Sequence, residues 1–187
     1  MANRSSNIAA WAITLAAAFG AYYAWKRNRQ SNPPSLINKN TTMQTDPKLP
    51  RGYRNNNPLN IRISNNNWIG KTKPSGDSAF EQFTSMPYGY RAALVLMRNY
   101  IKNYACDTVA KIISRWAPEN ENNTLAYIKH VCEIANLTPD TKVGQNDKNT
   151  LTRMAYAMSI IENGNTEYTR MLGLPNMDII NEGWNKI

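Results

Sequence analysis

Histidine and cysteine are almost missing from this 187-residue chain, which has one of the first, His130, and two of the second, Cys106 and Cys132. A zinc site takes three or four Cys, His or carboxylate ligands, so no metal site is expected. The cysteines lie 26 positions apart without a Cys-x-x-Cys pair. They read as two small buried thiols, with a disulfide between them as the alternative. Cys132 follows His130 by two positions, and on a helix two such side chains point apart. His130 falls in the middle of an expected helix and no Gly-x-Ser-x-Gly elbow occurs, so Ser/His/Asp and cysteine-nucleophile chemistry are disfavoured. Nor is there a glycine-rich phosphate loop, and no cofactor is expected. Acidic residues are also scarce, 13 against 22 Lys and Arg, for a net charge of +9.

The surplus is uneven. Residues 1–50 hold six basic residues and one acid, and residues 51–187 hold sixteen and twelve. A positive balance suits polyanionic partners such as anionic lipid, nucleic acid or bacterial cell wall. A nucleic-acid binder usually shows a clustered basic stripe or a known motif. Neither is present, so nucleic acid is not the expected partner.

Only one long apolar run occurs, Ile8 to Trp25, and no charge interrupts it. As a helix it would span about 27 Å, near the hydrocarbon thickness of a bilayer. Tyr22, Tyr23 and Trp25 sit at one end, and Lys26, Arg27 and Arg29 follow. Such charges resist translocation, which argues against a cleaved signal peptide. Residues 1–29 are therefore read as a single-pass anchor with a basic flank. Residues 30–50, with Pro33-Pro34 and no apolar periodicity, read as a flexible polar linker. Residues 51–187 are the globular part.

Within 51–85, Gly, Pro and Asn separate short apolar pieces, which predicts loops with a small hairpin; Asn55-Asn56-Asn57 and Asn65-Asn66-Asn67 read as polar loops. Helical spacing then takes over. Tyr90, Leu94, Met97, Ile101 and Tyr104 share one face. Asp107 is the expected cap of a helix burying Val109, Ile112, Ile113 and Trp116 and ending before Pro118. Asn123 or Thr124 caps a helix with Leu125, Ile128, Val131 or Cys132, and Ala135 inward. Another helix runs from about Thr150 to Glu162, stopped by Asn163-Gly164. A short last helix follows Asn176 or Asp178.

The Thr150–Glu162 helix carries the chemistry of interest. Its apolar stripe of Leu151, Met154, Ala155 and Met158 continues, at the same spacing, onto Glu162. A carboxyl there meets desolvation and the negative end of the helix dipole, and both favour its protonated form. A protonated carboxyl is what glycosidic cleavage requires of its general acid. The plain alternative is a glutamate at a frayed helix end, reaching solvent or an arginine. Glu81, between Phe80 and Phe83, is the second candidate acid. Glu119 and Glu121 fit loop or capping roles, and Asp77 fits a turn.

A resemblance supports this chemistry. The stretch Arg51-Gly-Tyr-Arg-Asn-Asn-Asn-Pro-Leu-Asn-Ile-Arg62 resembles the opening of a group of phage and prophage virion proteins. The similarity runs on through Trp68-Ile-Gly70, Phe80-Glu-Gln-Phe83, Tyr88-Gly-Tyr-Arg-Ala92, Ile113-Ser-Arg-Trp-Ala-Pro118 and Glu121-Asn-Asn-Thr-Leu-Ala-Tyr127. That group in turn resembles flagellar-type glucosaminidases and soluble lytic transglycosylases of the lysozyme-like superfamily.

The resemblance implies a mainly α, lysozyme-like domain with a small β-hairpin region and a groove for a glycan strand. In those enzymes the catalytic glutamate precedes the Asn-containing segment, whereas here the matching helix end comes last. A circular permutation would reconcile the order. Glu162 is then the expected general acid with Glu81 as alternative, and Asn57, Asn60 and Tyr127 are expected to bind the sugar. The implied function is a virion-associated enzyme degrading peptidoglycan during phage entry or release, as lytic transglycosylase, muramidase or glucosaminidase. Peptidoglycan, lipid and capsid proteins are the expected partners. The expected location is a virion's internal membrane or a host membrane. Two other classes compete: a non-catalytic anchored virion protein of the same shape, and an anchored DNA-packing protein.

Overall fold

A computed structural model describes residues 44–119 and 123–187. All of these fall within the unit Asn40–Ile187. The fold is mainly helical. The helices, in chain order, are α1 (Arg51–Arg54), α2 (Met86–Tyr104), α3 (Val109–Trp116), α4 (Thr124–Ala135), α5 (Lys148–Asn163), α6 (Glu167–Met171) and α7 (Met177–Asn185).

Local chemistry sets the ends of these helices. Thr108, Asn123, Asp147, Thr166 and Asn176 each accept a backbone N–H of the first turn of α3, α4, α5, α6 and α7 respectively, satisfying donors the helix itself leaves open. The cap of α3 is one residue later than expected. Asp107 is occupied elsewhere, its carboxylate receiving the Lys111 and Lys142 ammonium groups at 2.7 Å each. α5 stops at Gly164, whose φ of 72° is open to glycine.

α5 is the centre of the packing and touches α1, α2, α4 and α7. Its Leu151, Met154, Ala155 and Met158 are fully buried, and burying each of the larger side chains contributes about 2 kcal/mol. α2 lies along α7, and Tyr90, Leu94 and Met97 face inward as their spacing predicts. On α4 the inward stripe is Thr124, Tyr127, Ile128, Val131, Cys132 and Ala135. Leu125, expected inward, is 73% exposed, because it sits one position off that stripe.

The expected hairpin is reduced to isolated antiparallel bridges, Arg62 with Phe80 and Lys71 with Phe83. Segment 79–84 threads between two loops. It exchanges backbone bonds with Ile61 and Ile63 on one and with Gly70 and Thr72 on the other. Asn55, Asn56 and Asn57, expected in a polar loop, are buried. Their amides act as stand-in peptide groups: Asn56 Nδ2 donates to the Phe83 carbonyl at 3.0 Å, and Asn55 Nδ2 to Asp77 at 2.7 Å. Gly89 on α2 allows this loop to approach, since a Cβ there would lie 1.9 Å from the Asn56 carbonyl oxygen.

The single-pass membrane anchor and the location built on it need correction. Among the described residues no helix is long and apolar enough to cross a membrane. The longest, α2, carries Arg91, Arg98 and Lys102 along its length. The apolar stretch Ile8 to Trp25 lies outside the described residues, as does Glu121. At the far end of the expected linker, Leu49 is buried and the Tyr168 hydroxyl donates to Asp46. Cys106 and Cys132 are free and buried, so the disulfide alternative falls.

Arg51 on α1 grips the 75–80 loop by donating to both Asp77 oxygens, at 2.6 and 2.5 Å. The Arg51 guanidinium holds the Asp77 carboxyl well below the usual carboxylate range, and the backbone N–H groups of Ala79 and Phe80 and the Asn55 amide add to this against the opposing effect of burial. Lys111 and then Lys142 do the same for Asp107. A carboxyl with a depressed folded-state pKa stabilises fully above its unfolded value, about 4, and loses that contribution as pH falls through the folded value. Thermal melts should therefore hold steady from neutral pH to about 5 and decline below about 4. Asp77→Asn should melt lower at neutral pH and show a shallower acid decline; equal acid slopes for the two proteins would refute the assignment.

Candidate active site

The end of α5 is fastened to the loop after α1. Asn163 turns inward, and its Nδ2 donates to the Pro58 carbonyl at 2.7 Å and to the Ser159 carbonyl at 3.0 Å. Gly52 makes room for this join. A Cβ at that position would lie 2.3 Å from Asn163 Oδ1 and 2.8 Å from Asn60 Oδ1. Asn60 has a φ of 50°, the left-handed region that asparagine tolerates better than most residues. That turn aims its amide at the helix end.

Three chain-distant groups meet there. Glu162 Oε2 accepts from Asn60 Nδ2 at 3.0 Å, and Glu162 Oε1 accepts from the Tyr127 hydroxyl at 2.9 Å. Asn60 Nδ2 also lies 3.4 Å from the Glu162 backbone carbonyl. Burial pushes the Tyr127 phenol far above its ordinary range, and the Glu162 charge and the bond between them push the same way. Tyr127 therefore keeps its proton and acts only as donor toward Glu162. The Glu162 side chain is half-buried with a polar partner on each oxygen, rather than enclosed by apolar groups as its place on the stripe suggested.

Glu162 and Asn60 line a cleft of about 360 Å³, walled by Arg62, Ser64, Trp68, Phe80, Tyr100 and Trp116 among others. The Arg62 guanidinium lies 5.9 Å from the Phe80 ring centre. The walls are thus aromatic and amide-rich, and Glu162 is the carboxylate among the lining side chains.

The other expected site residues stand behind the cleft wall. Asn57 is fully buried; its Nδ2 donates to the Ile61 and Glu81 carbonyls at 2.9 Å each, and its Oδ1 accepts from Ile61 N at 2.9 Å. All its bonding capacity shapes the loop that presents Asn60. Glu81 is sealed, with Oε1 accepting from Ser64 N at 3.0 Å, Ser64 Oγ at 3.2 Å and Lys71 Nζ at 2.9 Å. Its Oε2 is buried without a hydrogen-bond partner. Asp77 is engaged with Arg51, and Glu119 is exposed. Among the described residues, no group of three or more His, Cys, Asp or Glu side chains is placed to hold a metal ion.

Four contributors have no site role in the sequence reading: Gly52, Ser64, Lys71 and Asn163. Asn163 carries a visible signal, the Asn-Gly pair, but that signal is fully explained by helix termination. Ser64 and Lys71 gain their roles from a loop that returns to Glu81, which no local spacing reveals.

No protein-family model matches the chain. The chain is 38% identical over 122 residues to Protein P5 of Pseudoalteromonas phage PM2, a match covering 64% of this chain and 74% of that protein.

Proposed function

The chain belongs to the family of Protein P5 of Pseudoalteromonas phage PM2, and from that premise we propose that it is a phage virion protein that cuts the glycan strands of the bacterial cell wall with Glu162 as its acid. The observation that carries this reading is a carboxylate at the cleft wall with one protein donor on each oxygen.

A strand lying in the cleft would receive the Glu162 proton on the oxygen of the scissile bond as that bond breaks. The charge left on Glu162 then meets the Asn60 amide on one oxygen and the Tyr127 hydroxyl on the other. No second carboxylate is needed if the sugar's own N-acetyl oxygen attacks the anomeric carbon. Glu162 next serves as base. It removes a proton from water, giving hydrolysis, or from the sugar's own C6 hydroxyl, giving a 1,6-anhydro end. The lysozyme-like identity of the fold and its permuted order belong to the same proposal. Their support is that the acid-bearing helix comes late in the chain yet closes on the Pro58–Asn60 segment.

The test is incubation of the full chain with purified peptidoglycan and mass analysis of the soluble products. Release of muropeptides is expected, with or without anhydro ends according to the branch taken. A preparation that binds wall but releases nothing would instead support a non-catalytic virion protein.

A further inference from the structure

The cleft does not end at Tyr100. That side chain also lines an adjoining shelf of about 740 Å³, together with Tyr104, Lys111, Ser114 and Arg115. Tyr100 meets Tyr104 and Trp116 edge-on, with ring centres 6.5 Å apart in each pair. Trp116 belongs to the cleft wall. A run of three rings thus leads from the Glu162 cleft onto the shelf.

A fixed cation stands at the far end of this run. The Arg115 guanidinium lies 3.4 Å from the Tyr104 ring centre and 5.1 Å from that of Tyr100. Stacking on two rings restrains a long side chain that would otherwise sample many rotamers, so less freedom is lost when it binds a ligand. Tyr104 itself is 52% exposed. The other shelf cation, Lys111, is engaged by Asp107 at 2.7 Å.

Aromatic faces receive the apolar C–H faces of sugar rings, and a planar guanidinium receives a carboxylate through two parallel bonds. A neutral sugar chain could accept hydrogen bonds from a held guanidinium but would leave its charge unmatched. A polyphosphate would call for several converging cations, and the Lys111 ammonium is turned to Asp107. We propose that the shelf is a second binding site, taking a carboxylate-bearing side arm of the strand whose backbone occupies the cleft. This rests on the cell-wall reading of the cleft and adds a chemical preference to it: strands carrying acid groups over neutral sugar polymers.

The test uses the full chain and follows tryptophan fluorescence on titration with three probes: glycan strands bearing their carboxylates, the same strands with those carboxylates amidated, and chitohexaose. Wild type should bind the carboxylated strands about ten-fold tighter than the amidated ones, the scale of one charge-assisted contact, with the gap narrowing as salt rises. Arg115→Gln should shrink the gap to within about two-fold while leaving chitohexaose affinity unchanged, and Arg115→Lys should keep part of it. Equal binding of the two strand types by wild type would overturn the proposal. So would a gap that survives in Arg115→Gln, displacement by DNA as effective as by strands, or no binding at all. Product release is read in the same samples. A preference without products removes the cutting reading and leaves the shelf; products without a preference do the reverse.

Discussion

Glu162→Gln should lower muropeptide release about a thousand-fold, within the range lost when a general acid is removed, while the melting temperature barely moves. The replacement is nearly isosteric. The carbonyl oxygen of the introduced amide still accepts from the Tyr127 hydroxyl, and the Asn60 amide turns over to accept from the introduced NH₂ group, giving up its long 3.4 Å bond to the residue-162 backbone carbonyl. Asn60 Oδ1 has no hydrogen-bond partner to lose in that turn. What disappears is the transferable proton. Tyr127→Phe should fall by much less, about ten-fold, because it removes one hydrogen bond and keeps the carboxyl. A Glu162→Gln protein with undiminished release would sink the assignment. Glu81 could not take over the role, since its bonded oxygen is held by Ser64 and Lys71 and the carboxylate is fully enclosed.

Lys71→Met should destabilise the domain by about 3 kcal/mol, near the lower end for one partner removed from a buried ion pair. For a domain of this size that is a fall of about 10 °C in melting temperature. The pair is well enclosed, with 12% of the Lys71 side chain and none of the Glu81 side chain exposed. Without Lys71 the Glu81 carboxylate keeps only its Ser64 bonds, and its second oxygen already lacks a partner. The double change Lys71→Met with Glu81→Leu should recover most of the loss, since apolar packing often replaces a buried pair at little or no cost. Thermal melts of the three proteins decide the matter. A Lys71→Met melt equal to wild type would show that the pair contributes nothing. Function should suffer as well, because Glu81 ties down Ser64 in the loop that carries Arg62 and Trp68 into the cleft wall.

The contrast between these two glutamates shows what the sequence can and cannot reveal. Glu162 is visible because a helix repeats: four apolar positions on α5 point to the next residue on the same face. The helix ends are visible for a similar reason. Asn123, Asn176 and Gly164 act within a few residues of themselves, so their chemistry is local. Glu81 has no such frame. Its burial depends on Lys71 and Ser64 arriving from a loop with no periodicity, and the flanking phenylalanines suggest an inward side chain without showing what would meet it. Asn57 and Asn60 look equivalent in one motif. Backbone geometry divides them, because Asn60 takes a left-handed turn toward the helix while Asn57 spends its amide bracing the loop. The buried asparagines escape a sequence reading for a related reason. Amides read as solvent-seeking until a loop is found that needs internal donors and acceptors. Membrane spanning rests on a stretch outside the described residues, and the described helices give it no support.

Asn60 and Glu162 are 102 positions apart in the chain. Closing a loop of that length costs about 4 kcal/mol in chain entropy alone, more than one or two hydrogen bonds return. The triad therefore cannot assemble itself. It is held together by the surrounding architecture, chiefly the Asn163 clasp and the glycine gap at Gly52. No excised peptide would retain it, and during synthesis no ribosome-bound intermediate short of α5 contains it. Whatever the cleft does, it switches on once, when the last long helix docks.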